Sequence, residues 1–293
     1  MTNNRILVTG AAGFVGRAVA RALPPGRLRL VDRTRPDFPG AECIAADLTD
    51  RRALPALLDG IDAIIHLAAI PGGAAEADPA ASRAINLDAS LNLIEAASGR
   101  ARFVYASSIA VFGAPLPDRI DDATPVGPAM TYGAHKAMVE TALADAVRRG
   151  DIHGIALRLP GIVARPSTSS GLKSAFMSDL IWAARDGSLY VAPVGPDATI
   201  WLMSVDRAAA NLVHALDCPS GPAINLPALR ASVADLVAAV AGGRPSAITY
   251  RPDPDLEAQF GRYPPLATPL ADGLGFRHDG DLAGLVQSIW STT

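Results

Sequence analysis

The chain has 293 residues, 49% hydrophobic and 19% charged, with 26 basic against 29 acidic side chains and a formal net charge of −3. That balance is too apolar for a disordered chain and leaves no basic excess to track the phosphates of a nucleic acid. Cys43 and Cys218 are the only cysteines, too far apart in sequence for a disulfide framework or a structural zinc site, so no metal is expected.

No apolar run approaches the ~18–20 residues that span a bilayer; the longest, near 63–70, is interrupted by His66. The first residues run straight into a short apolar strand, without the longer apolar region of a signal peptide, and a reducing cytoplasm is the expected setting.

Residues 5–9 read as a strand. They run into TGAAGFVG at 9–16, and 14–23 then has helical spacing as far as Pro24-Pro25. Gly10 permits a tight strand-to-helix turn. Gly13 removes a side chain where a pyrophosphate must approach, and Gly16 lets the helix lie close on the strand. The amides at the helix start, around Phe14 and Val15, then face the phosphates. A second strand spans 27–31, and Asp32 at its end lies 22 residues after Gly10. A carboxylate there accepts from both hydroxyls of an adenosine ribose and repels a 2′-phosphate, which favours NAD over NADP. Arg33 and Arg35 follow, and an arginine there can hold a phosphate, so the strictness of that preference stays open.

Further along, 41–45 reads as a strand, 51–58 as a helix capped by Asp50, 62–67 as a strand and 79–97 as a long helix. Strands at 102–106 and 153–159 flank a helix at 132–148. Apolar runs with little alternation, separated by helices, imply a parallel sheet buried on both faces. After Pro160 the pattern becomes irregular: helices at 171–186, 204–216, 232–240 and 281–290, one short strand at 223–226, and Pro-rich stretches between them. The expected fold is α/β, a Rossmann-type doubly wound parallel sheet with a smaller C-terminal substrate-binding region. Residues 1–165 form the dinucleotide-binding domain, with some later segments returning to it, and 166–293 form the substrate-binding part.

The strand at 102–106 opens into Ser107-Ser108, at the carboxyl end where open α/β sheets build their sites. Tyr132 and Lys136, in YGAHK at the start of a helix, stand at i and i+4, one above the other and about 6 Å apart. A phenol is a poor base at neutral pH, and an ammonium beside it favours the phenolate. A serine hydroxyl can hold the substrate oxygen that gains or loses the proton. His66 reads as a structural histidine of a buried strand. His135 points to another side of its helix and is given no role.

TGAAGFVG, Asp32, Asp47-Leu48, HLAA at 66–69, Asn86, YASSIAVFG, YGAHK and RLPG at 158–161 follow one another as in the extended short-chain dehydrogenase/reductase family, which the chain resembles over essentially its whole length. The resemblance implies NAD as cofactor and Ser108, Tyr132 and Lys136 as catalytic residues. It also implies cofactor contacts from Gly10, Gly13, Phe14, Val15, Gly16, Asp32, Asp47, Leu48, Ala68, Ala69, Asn86, Tyr132, Lys136, Pro160 and Ile162, and a homodimer. Phe112 stands where many members have tyrosine. VARP at 163–166, GLKSAFMS at 171–178, Pro193-Val194 and Trp201 resemble the branch of D-erythronate dehydrogenases, which implies NAD-dependent oxidation of a small sugar acid. The stretch before Trp201 has no cation of the kind that holds a nucleotide-sugar diphosphate. An acid substrate needs a cation, and Arg165 and Lys173 are the candidates, with Ser174 as a donor and Ser108 and Tyr132 at the reacting hydroxyl. The competing expectations are a nucleotide-sugar epimerase or dehydratase with tightly held NAD, and a non-catalytic dinucleotide-binding protein.

Overall fold

The structure, a computed structural model, describes residues 5–99, 101–113, 115–166 and 175–292. Its strands are β1 (Ile6–Thr9), β2 (Leu28–Asp32), β3 (Glu42–Ala45), β4 (Ala63–His66), β5 (Arg102–Ser108), β6 (His153–Leu159), β7 (Gly161–Ile162), β8 (Tyr190–Ala192), β9 (Thr199–Met203), β10 (Ile224–Asn225), β11 (Leu229–Ser232) and β12 (Ile248–Tyr250). Its α-helices are α1 (Phe14–Arg21), α2 (Leu54–Leu58), α3 (Gly72–Ala77), α4 (Pro79–Ser82), α5 (Ala89–Ala97), α6 (Thr131–Arg149), α7 (Phe176–Asp186), α8 (Val205–His214), α9 (Val233–Ala241), α10 (Pro254–Phe260), α11 (Pro269–Gly273) and α12 (Leu282–Thr292).

The chain divides into two compact units. One comprises Met1–Val111, Pro128–Leu159 and Ala209–Ile224; the other comprises Phe112–Gly127, Pro160–Ala208 and Asn225–Thr293. In the first, a parallel sheet runs β6-β5-β4-β1-β2-β3, with β10 at its edge beside β6. The chain starts at the centre, winds outward to β3, returns to β4 beside β1, and winds outward again to β6. That order follows from the sequence. β1 and β4 are buried at every residue, so both faces of the sheet need covering, and every crossover except the one from β2 to β3 supplies a helix. Leu54, Leu57, Leu93, Val139 and Leu143 from α2, α5 and α6 close one face over Leu7, Ile64, Phe103 and Tyr105. The reversal between β1 and β4 leaves a crevice outside their carboxyl ends, the place where open α/β sheets receive ligands.

The helix expected at 79–97 is present but not uniform. A π-helical segment, Arg83–Asp88, joins α4 to α5, and such segments concentrate at functional sites. Here it holds Asn86, buried at 1% exposure.

In the second unit β9 pairs antiparallel with β11 and parallel with β7, while β8 pairs with β12. Trp201 of β9 is fully buried, stacks on Tyr263 with ring centroids 4.8 Å apart, and donates its indole N–H to the Pro264 carbonyl at 2.8 Å. The short strand expected at 223–226 and the helices expected at 204–216, 232–240 and 281–290 are found as β10, α8, α9 and α12. The helix expected from 171 is seen as α7 from Phe176; residues 171–174 lie outside the described residues.

A Cβ at Gly16 would stand 2.2 Å from the Gly10 carbonyl oxygen and 2.7 Å from Ala11 Cα, whereas one at Gly26 would meet none of the described residues within 4 Å. Gly16→Ala should destabilise by about 1–3 kcal/mol or more, because backbone on both sides must move. Gly26→Ala should stay within about 0.5 kcal/mol of the parent. Denaturant unfolding of the two variants side by side checks this, and equal stabilities would contradict the close packing of α1 on its turn.

Candidate active site

Where β1 ends, the chain enters α1 through a turn that only glycine can make. Gly10 has φ +69°, and a Cβ on it would lie 2.7 Å from the Ala68 backbone nitrogen. The Gly13 N–H closes the turn on the Gly10 carbonyl at 3.0 Å. No described side chain caps α1, an arrangement that suits an anion at its first turn. The Ala12 N–H donates to Asp32 Oδ2 at 3.1 Å, which ties the acid at the end of β2 to the turn through one oxygen. The other oxygen has no protein partner among the described residues. A pyrophosphate on the turn and a ribose diol on Asp32 therefore fit what is present, and these residues would hold NAD. Of the two arginines beyond Asp32, Arg35 donates to the Cys43 carbonyl at 3.2 Å, while Arg33 is exposed.

The other expected cofactor contacts differ in character. Asp47 accepts from the Thr49 N–H at 2.9 Å and the Thr49 hydroxyl at 2.8 Å, and these bonds, the backbone one first, hold its carboxyl below the usual range. The Leu48 side chain is 8% exposed and belongs to the core, so a contact from it would come from its backbone. Ala68 and Ala69 are half-buried beyond β4. Asn86 engages Ile70 on both sides, accepting its N–H at 2.6 Å and donating to its carbonyl at 2.8 Å. Its amide thus shapes the loop after β4.

His66, fully buried, links these parts. Ser90 donates its hydroxyl to the Asn86 carbonyl at 2.9 Å and so accepts from His66 Nε2–H at 2.9 Å. His66 Nδ1 therefore accepts from the Thr9 hydroxyl at 2.6 Å, and the Thr9 oxygen in turn takes the Leu67 N–H at 3.2 Å. The assigned tautomer satisfies every group in the series. Burial, with the Lys136 charge second, drives His66 down to about 3, so it stays neutral.

Ser108 ends β5, half-buried, and its Oγ accepts the Ala110 N–H at 3.1 Å, which leaves its proton for another acceptor. α6 starts against the turn that follows. A Cβ on Gly133 would be 1.9 Å from the Ala110 carbonyl oxygen, so glycine is required between Tyr132 and Lys136. Lys136 is 2% exposed. Its Nζ donates to the Ala106 carbonyl at 2.7 Å and lies 4.6 Å from the centre of the Tyr105 ring and 5.5 Å from that of Tyr132. Burial pulls this ammonium down to about 7, and Glu140 opposes the shift. Tyr105 is fully buried with its hydroxyl unpaired among the described residues, and burial raises it well above the usual phenol range.

Pro160, Ile162 and Arg165 belong to the second unit. Pro160 is buried, and Ile162 pairs with Met203 across β7 and β9. Arg165 has its backbone fixed from α7: its N–H donates to Ser178 Oγ at 3.1 Å and its carbonyl accepts from Trp182 Nε1 at 2.7 Å. Ala164 before it has φ +60°, a strained conformation for a residue with a Cβ. Lys173 and Ser174 lie outside the described residues. Sequence reading had not singled out Thr9, Ser90, Gly133, Glu140 or Arg158 for a role. The spacing of Lys136 and Glu140, one helical turn apart, was the signal available for one of them.

A turn shaped for a pyrophosphate and a tyrosine backed by a buried lysine place the molecule among dinucleotide-dependent enzymes. The model of the NAD dependent epimerase/dehydratase family matches residues 6–225, and the chain belongs to that family. It is an NAD-dependent oxidoreductase. It is 31% identical over 309 residues to the D-erythronate dehydrogenase of Haemophilus influenzae, covering 97% of this chain and 98% of that one. To the D-erythronate dehydrogenase of Cupriavidus necator it is 32% identical over 313 residues, covering 97% of each. Among solved structures, the nucleoside-diphosphate-sugar epimerase from Agrobacterium tumefaciens superimposes with a TM-score of 0.88 at 31% identity, covering 97% of this chain and 92% of that one.

The buried lysine sets a pH dependence of stability. Lys136 titrates near 7 in the folded protein against an ordinary 10.5. Between those values the unfolded chain carries a proton that the folded one does not, so this contribution grows as pH rises and is lost as pH falls toward 7. The stability of the parent relative to Lys136→Met should therefore increase with pH across that window, measured by urea unfolding. A difference that stays constant with pH would contradict the burial of the ammonium.

Proposed function

We propose that the protein oxidises a hydroxyl of a small sugar acid with NAD, and that D-erythronate, giving its 2-oxo acid, is the first substrate to test. The observation that carries the chemistry is the seat of Lys136: an ammonium buried beside the Tyr132 ring and titrating near neutrality. The near full-length likeness to D-erythronate dehydrogenases supports the substrate class.

In this reading Tyr132 takes the proton of the substrate hydroxyl. Lys136 supplies the positive charge that makes the phenolate accessible, and Ser108 donates a hydrogen bond to the same substrate oxygen. Bound NAD supplies the acceptor for the hydrogen that leaves carbon with its electron pair. Arg165, Lys173 and Ser174 are proposed to hold the substrate carboxylate, the guanidinium through two parallel bonds. The fixed backbone of Arg165 supports that role, since a clamp works only from a defined position. The unpaired state of Cys43 and Cys218 supports a reducing, cytoplasmic setting, and no described helix is long and apolar enough to cross a membrane. A homodimer is part of the proposal, resting on the family alone.

A second reading, a nucleotide-sugar epimerase, is favoured by the Agrobacterium tumefaciens structure. A cleft of about 530 Å³ in the second unit, beside Thr199, is large enough for such a ligand. Its two arginines, Arg230 and Arg262, are outnumbered by Asp118, Asp197 and Glu257, a poor setting for a diphosphate.

Mixing protein, NAD and D-erythronate should produce NADH continuously, whereas an epimerase gives no net NADH. Tyr132→Phe should cut turnover by ~10²–10⁴ with NAD affinity, by calorimetry, nearly unchanged. Turnover close to the parent's in that variant would refute the assignment. NAD binding with no turnover across a panel of sugar acids and nucleotide sugars would point to a non-catalytic dinucleotide-binding protein.

A further inference from the structure

Behind Lys136, one helical turn along α6, lies an ion pair with no assigned task. Glu140 and Arg158 expose only 6% and 10% of their side chains. Arg158 Nη2 donates to Glu140 Oε2 at 2.9 Å, and Arg158 Nε reaches both carboxylate oxygens at 3.1 and 3.2 Å. The Ser107 hydroxyl donates to Oε1 at 2.5 Å. Ser107 and Arg158 are register partners across β5 and β6, so the carboxylate is gripped by the two strands that end at the site. Lys136 meanwhile donates to the carbonyl of Ala106, the residue before Ser107. Two side chains of opposite charge, one turn apart on α6, thus hold consecutive residues of β5.

A buried ion pair is weak evidence of a stabilising role, because apolar side chains of similar volume do as well or better. Its placement points to another use. Among the described residues, the titratable groups that meet Lys136 are Tyr132 and Glu140 on its own helix, Tyr105 on β5 and His66 on β4, and Arg158 on β6 is tied to it through Glu140. Arg83, Asp88 and Glu76, from the other elements against α6, act on His135 instead. His66 is neutral and Tyr105 is held protonated, so Glu140 is the one anion of this group besides whatever Tyr132 becomes.

We propose that Glu140 and Arg158 are positioning residues for Lys136: the carboxylate keeps the lysine charged beside Tyr132, and the guanidinium limits how much of that negative charge the lysine feels. Without Glu140, two cations would share one buried region and the lysine would give up its proton first, leaving Tyr132 without its partner. The importance of this for turnover rests on the reading of Tyr132 and Lys136 given above; the electrostatic coupling itself does not.

The composition makes a direct test possible. The chain has two lysines, Lys136 and Lys173. Protein isotope-labelled at lysine should show two side-chain NMR signals, assigned with Lys173→Arg. In the protein without NAD or substrate, Glu140→Gln should lower the Lys136 titration midpoint by about one pH unit, and Arg158→Met should raise it. The double variant Glu140→Gln/Arg158→Met should fall between the two. If Glu140→Gln fails to fold, the double variant still decides, because its midpoint must lie below that of Arg158→Met alone. Midpoints that do not move, or that move the same way in every variant, would overturn the proposal and leave a purely structural pair. In turnover, Glu140→Gln should lose about tenfold in kcat with KM for the sugar acid little changed. Should Tyr132→Phe prove active, the catalytic reading falls while the lysine titrations keep their meaning. Should Tyr132→Phe be inactive and the lysine midpoints stay fixed, only the role of Glu140 and Arg158 falls.

Discussion

Lys136 carries an ammonium to a place where 2% of its surface meets solvent, and much of the first unit is arranged around keeping it there. A charge withdrawn from water is costly unless its donors find partners. Here one N–H reaches the Ala106 carbonyl, two aromatic faces lie nearby, and a carboxylate stands one turn further along the helix. Burial, opposed by that carboxylate, leaves the lysine poised near neutrality instead of firmly protonated, which is the condition for tuning a phenol at working pH. The same burial demands that α6 lie unusually close to the end of β5, and Gly133 against the Ala110 carbonyl is what allows it.

Close backbone approach recurs at the glycine turn. Gly10 passes the backbone at Ala68, and Gly16 presses on Gly10. Between them and α5 runs the directional series from Thr9 through His66 and Ser90 to Asn86, whose amide fixes the loop at Ile70. A neutral histidine suits that task, since it donates from one nitrogen and accepts at the other; a protonated ring would present two donors and break the series. The glycine turn, the loop after β4 and the π-helical segment are therefore held as one shape.

How much of this the sequence disclosed follows from the range of each interaction. β1, β4 and the glycine turn were readable because the apolar runs are continuous and the turn follows directly on a strand. Tyr132 and Lys136 were readable because helical spacing alone makes them neighbours. Glu140 and Arg158 sit 18 residues apart on different elements, and Thr9 and His66 are 57 apart, so nothing local announces either pair. The π-helical segment was hidden because an amphipathic pattern over 79–97 looks the same with or without one wide turn. β8, β11 and β12, of three or four residues, are too short to show periodicity and owe their existence to pairing partners. Arg165 was named for its charge, but the strained Ala164 and the hold of α7 on its backbone appear only in three dimensions.

The central claim is that one phenol, backed by a buried ammonium, meets the hydroxyl to be oxidised. A crystal structure of the protein with NAD and D-erythronate tests it most directly. The account predicts the Tyr132 hydroxyl and Ser108 Oγ both within hydrogen-bonding distance of a single substrate oxygen, on the carbon that faces the nicotinamide ring. A substrate seated with its hydroxyls turned toward other side chains, and Tyr132 out of their reach, would contradict it.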